Sequence, residues 1–103
     1  MSKVAAIAKL TAADGQRDAL VKVMDQLVDA AADETGTEIY VLNLDVTDPN
    51  VVWFYEVYTD KDGLRAHSTS PTMQAVGSQL GGLLVGAPEL IKVTPHRAVG
   101  IEV

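Results

Sequence analysis

The chain has 103 residues, 48% of them hydrophobic and 21% charged, which is the balance of one globular domain with a modest core. Its formal charge of −6, with no run of Lys and Arg, argues against nucleic acid and against an anionic membrane surface as partners. The absence of Cys removes disulfides, thiolate nucleophiles and Cys-based zinc sites together.

No apolar run reaches the ~20 residues of a membrane span, and residues 1–10 lack a signal-peptide layout, so a soluble, cytoplasmic protein is expected. His67 and His96 stand in no metal-ligand spacing, and Gly81, Gly82 and Gly86 precede neither Lys-Ser nor Lys-Thr. Neither a metal nor a nucleotide cofactor is expected.

Residues 3–10 are apolar and free of breakers, which suits a buried first strand despite Ala5, Ala6 and Ala8, weak strand formers. Asp14 offers an N-cap to a first helix. In it Leu20, Val23, Met24, Leu27, Val28 and Ala31 recur at helical spacing until Gly36 supplies a left-handed stop. Residues 37–46 and 51–59 are rich in β-branched and aromatic side chains, and Asp48-Pro49-Asn50 between them is turn chemistry, so the two form a hairpin.

Asp60 can cap a short helix carrying Leu64 and His67. Ser70 followed by Pro71 is a second cap, so this second helix breaks in two. Its second part sets Met73, Val76, Leu80 and Leu83 on one side before Gly86 and Pro88 end it. From Glu89 the chain is extended through Leu90, Ile91 and Val93 to Pro95, followed by a C-terminal arm with Val99, Ile101 and Val103. The order predicts the α+β class: a ferredoxin-like βαββαβ sandwich, one antiparallel sheet with the helices on one face, in a single domain over residues 1–103.

A sheet covered on one side should carry polar residues at alternate positions. The hairpin does not. Tyr40, Leu42 and Leu44 point one way and Ile39 and Val41 the other; Val52, Phe54 and Tyr58 oppose Val51, Trp53, Tyr55 and Val57. A second apolar face in water is an aggregation hazard, so a homodimer with sheets packed together is expected. The alternative is that the arm from Ala98 folds back over the same face.

Gly36-Thr37-x-x-Tyr40, Asp48-Pro49, Glu56-x-Tyr58 and His67-x-x-Ser70, with Gly15 before them and Pro88 after, form an ordered set over nearly the whole chain. In this set the chain resembles the antibiotic biosynthesis monooxygenase family. The resemblance implies a dimeric α+β barrel with a small-molecule pocket in each subunit, between the helices and the sheet. It also implies oxygenase chemistry on phenolic or quinol-type aromatics without flavin, haem or metal. The family's polyketide-oxidising members use an Asn, Trp and Arg set, and its haem-degrading members an Asn, Trp and His set. Phe54 and Tyr58, and Ala8, His67 and about Gly77, stand where those sets would lie, so the nearest likeness is to the quinol monooxygenase branch.

An electron-rich phenolate can reduce oxygen directly, so such a pocket needs to bind, orient and deprotonate its substrate. His67 is the candidate base, since imidazole is the side chain suited to accept a phenolic proton near neutrality. Glu56, on a strand face with Phe54 and Tyr58, is its candidate partner. The same two residues could equally tie the second helix to the sheet. Tyr40, Phe54 and Tyr58 would contact the aromatic ligand from the sheet, and Met73, Val76 and Leu80 would wall it from the helix, although at these spacings all six also suit a plain core. Trp53, of opposite parity to Glu56, faces away from the pocket. Besides a monooxygenase, the residues allow a non-catalytic dimeric module that binds a small apolar ligand, or a fold with no pocket at all.

Overall fold

The structure, a computed structural model, describes residues 2–103. Its elements are β1 (Val4–Thr11), α1 (Arg17–Ala31), β2 (Thr37–Leu44), β3 (Val51–Tyr58), α2 (Lys61–Ser68), α3 (Pro71–Gly77) and β4 (Glu89–Val93). All strand pairs are antiparallel and the sheet order is β2-β3-β1-β4. This is the ferredoxin-like α+β sandwich expected from the element order, with the split second helix resolved as α2 and α3.

The two faces of the sheet follow from its register. Leu42, Phe54, Ala8 and Leu90 form one row across the four strands, and Tyr40, Glu56, Ala6 and Lys92 the next. These rows lie on the helical side. There Leu20, Met24 and Leu27 of α1 and Val76 of α3 join Ala8, Leu10, Val52 and Phe54 in the buried core. On the other side Val41, Tyr55, Ile7 and Ile91 make a continuous apolar row, in which Val41, Tyr55 and Ile91 are exposed. Trp53 lies on this side too. Its indole donates to Asp45 at 2.8 Å, and the Lys9 ammonium stands 5.5 Å above its ring.

Local chemistry explains most boundaries. Asp60 accepts from the Gly63 amide at 2.9 Å and Ser70 Oγ from the Met73 amide at 3.1 Å, so both expected caps are formed, with Pro71 opening α3. The ends of α1 differ from expectation. Asp14 accepts from the Asn50 side-chain amide instead of capping, and the left-handed residue is Gly15 at φ 74°. At the other end tight bonds from Asp33 and Glu34 to the carbonyls of Ala30 and Ala31 finish the helix before Gly36, which is not left-handed. Arg17 reaches from the start of α1 to the carbonyls of Asp45, Asp48 and Val51, fastening the helix to the β2–β3 turn. Helix α3 stops at Gly77, so Leu80 and Leu83 lie in the turns that follow rather than on a helix.

The arm beyond β4 is irregular. Lys3 Nζ holds the Glu102 carbonyl at 2.7 Å, yet Val99 is fully exposed and the apolar row from Val41 to Ile91 stays open. The arm does not seal that face. Among the described residues no helix is long and apolar enough to cross a membrane.

Candidate functional site

Between the helices and the sheet lies a cavity of about 240 Å³. Its sheet side is made by Ala8, Tyr40, Phe54 and Glu56, and its helical side by Met24, His67, Met73 and Val76, with Leu80, Pro88 and Leu90 at the margin. Of the residues expected at a pocket, Tyr40, Phe54, Glu56, His67, Met73, Val76 and Leu80 all reach this wall. Tyr58 does not. It is fully buried, and its hydroxyl donates to Glu56 Oε1 in a short bond two residues back along β3. Leu80 reaches the wall because the turn after α3 folds back, not through helical spacing.

His67 is paired differently from expectation. Its Nδ1 lies 2.9 Å from Glu34 Oε1, and the same oxygen accepts from Thr37 Oγ1 at 2.7 Å. A carboxylate only accepts, so Nδ1 carries the hydrogen and Nε2 is the basic nitrogen whenever the ring is neutral. Nε2 makes no hydrogen bond among the described residues, and His67 is 2% exposed while lining the cavity. The ring is held by Tyr40 at 4.9 Å and Tyr58 at 5.5 Å between centroids, and Phe54 lies 5.0 Å beyond Tyr40.

The pairing depends on two glycines. Helix α2 presents Gly63 and His67 on one buried face, four residues apart. A Cβ at Gly36 would stand 2.7 Å from the Gly63 Cα, and one at Gly63 would stand 2.8 Å from the Gly36 carbonyl oxygen. Only the bare backbones let α2 settle against the loop after α1. That close approach sets Glu34 opposite His67. Glu34 was not among the expected site residues, because nothing in strand parity or helix spacing relates a loop residue to a helix thirty positions later; the two glycines flanking the contact are the signal that could have found it.

Glu56 is 6% exposed. Burial pushes its carboxyl above the usual carboxylate range, outweighing the Tyr58 hydrogen bond and the nearby His67, which favour the charged form. Burial likewise holds the Tyr58 hydroxyl far above its ordinary range, helped by its bond to Glu56. Tyr40 is raised in the same direction, first by burial and then by the charges of Glu56 and Glu34. Both phenols are therefore neutral. The site thus combines an imidazole nitrogen without a protein partner, a carboxyl that keeps its proton beyond the usual pH, and an apolar aromatic enclosure. Among the described residues no three His, Asp or Glu are gathered to hold a metal ion.

A family model described as Antibiotic biosynthesis monooxygenase matches residues 3–78. No curated protein matches the sequence. Among solved structures, a Chloroflexus aurantiacus protein provisionally named an antibiotic biosynthesis monooxygenase is 30% identical, with a TM-score of 0.81 over 98% of this chain and 100% of its own. A Mycobacterium tuberculosis protein is 25% identical, with a TM-score of 0.87 over 96% of this chain and all of its own. A Pseudomonas aeruginosa protein at 23% identity and a TM-score of 0.86, covering 94% of this chain and 97% of that one, adds likeness of fold alone.

Proposed function

Because the chain belongs to the antibiotic biosynthesis monooxygenase family, we propose that it is a cofactor-independent monooxygenase that oxidises a quinol or phenolic aromatic with molecular oxygen, working as a homodimer. One observation carries this reading: His67 is fixed by Glu34 with its second nitrogen unpartnered at the wall of an apolar cavity. Such a nitrogen is a general base for a phenolic proton. A cavity of about 150 Å³ holds benzene, so one of about 240 Å³ suits a ring compound of one or two small rings.

In this mechanism Tyr40, Phe54, Met73, Val76 and Leu80 enclose the ring while His67 removes the phenolic proton. The phenolate passes one electron to oxygen, the radical pair joins at a ring carbon, and loss of water leaves a carbonyl there. One phenol and one O₂ thus become one quinone and one water. Glu56, steadied by Tyr58, offers a hydrogen bond to a second ring oxygen. Glu34 is the positioning residue for His67, the part first sought in Glu56.

Oxygen uptake with a panel of hydroquinones and phenols tests the reading. The wild-type rate exceeds the uncatalysed background, His67→Ala lowers it by about 10²-fold or more, and Glu34→Gln, which keeps an acceptor but loses the charge, falls between. Equal rates for wild type and His67→Ala would remove the base, and no rate above background would remove the enzyme. Among the described residues no Arg, Lys or Asn lines the cavity, an observation that favours a second reading as a non-catalytic module binding a small apolar ligand. Binding without turnover across the panel is its signature.

A further inference from the structure

On the outer side of α2 a second hollow, of about 560 Å³, lies between that helix and β4. Helix α2 lends it Lys61 and Arg65, four residues apart and therefore on one face, and β4 lends it Lys92. The chain has only 8 Lys and Arg against 14 Asp and Glu, yet three cations and no carboxylate stand among the described residues that line this hollow. Neither Lys61 nor Lys92 is ion-paired among the described residues. Arg65 is shared with Asp62 at 3.5 Å, and the Asp60 carboxylate is taken up by the Gly63 amide. Lys61 also opens α2, where the helix dipole disfavours a positive charge. Helix stability does not account for it.

The hollow adjoins the cavity. Leu64 and Ser68 of α2 border both. Along β4, Leu90 lines the cavity and Lys92 lines the hollow; their partners Ala8 and Ala6 place them on one face. Two residues along a strand span about 7 Å. A ring seated among Tyr40, Phe54 and Met73 would therefore leave a substituent a few atoms long within reach of the cations.

From this juxtaposition we infer that the ligand is an aromatic carrying a carboxylate on a short chain, its ring in the cavity and its charge between Lys61, Arg65 and Lys92. The inference rests on the reading of the cavity as an aromatic site, and it adds an anionic end to that ligand.

Equilibrium binding without oxygen separates this inference from the catalytic one, since it needs no turnover. The probes are 4-(4-hydroxyphenyl)butanoate and its amide, alike in shape and different in charge. The acid is expected to bind wild type about five- to tenfold tighter than the amide, as two or three partly exposed charge pairs allow. That advantage should vanish at roughly 1 M salt, where the Debye length is about 3 Å, and the two probes should bind alike to the Lys61→Gln/Lys92→Gln variant. Equal binding of acid and amide to wild type, a preference that survives in the double variant, or failure of both probes to bind would each overturn the inference. A preference for the acid in a protein that consumes no oxygen would leave it standing while the monooxygenase reading falls.

Discussion

Glu56 is a carboxyl on the floor of an apolar site, and its environment makes it a pH-dependent load on the fold. Burial raises its pKa above the ordinary 4.5, so the folded state holds this proton more tightly than the unfolded chain does. Its contribution to stability is complete below the ordinary value and is lost as pH rises through the raised one. Glu56→Gln still accepts from Tyr58 but cannot ionise. Between about pH 4 and about pH 7 the melting temperature of Glu56→Gln should therefore rise relative to wild type; a gap that stays constant or closes would contradict the assignment. The sharing of one strand face by Glu56 and Tyr58 was legible, because two residues on a strand always share a face. Their bond to each other was not. Parity says which side chains are neighbours but not which of His67 and Tyr58 a carboxyl will choose, and that choice was settled by Glu34 taking His67 first.

The elements themselves were read well where their ends are chemical and local. Asp60, Ser70 and Pro71 act within three residues of the helices they start, so sequence sufficed. The start of α1 depends on Asn50 reaching out of the β2–β3 turn and on Arg17 reaching into it, and Gly36 serves a contact rather than a left-handed turn. That contact can be tested by pairing two glycines in helices. Gly63→Ala gains helix propensity but drives a methyl group into the Gly36 carbonyl, where backbone cannot yield cheaply. A net loss of about 1–3 kcal/mol is expected, with the Glu34–His67 pair opened. Gly77→Ala, at the end of α3 with nothing within 4 Å, should be neutral or stabilising by up to about 1 kcal/mol. Denaturant midpoints check both. If Gly63→Ala proves as harmless as Gly77→Ala, the close approach of α2 to the loop does not position His67.

At the scale of the whole molecule, strand patterning showed that both faces of the hairpin are apolar but not what covers the second, since side-chain alternation carries no information about a partner. The structure narrows the choice. The arm leaves Val41, Tyr55 and Ile91 exposed in one row that crosses β2, β3, β1 and β4, and a row of that kind matches itself under a two-fold axis. Tyr55, in the middle strand pair of the row, is the place to interrupt it. In one subunit alone Tyr55→Glu puts a charge at a solvent-facing position, which an antiparallel sheet tolerates. Across a dimer it would bury two carboxylates in an apolar contact, a desolvation cost that association cannot recover. Light scattering should find twice the mass of one chain for wild type and a single-chain mass for Tyr55→Glu, with unchanged far-ultraviolet dichroism showing that the fold survives. A wild-type protein that stays monomeric at high concentration would leave this face to water and remove the barrel from the proposed function, whereas a dimer that persists in Tyr55→Glu would move the interface to another surface.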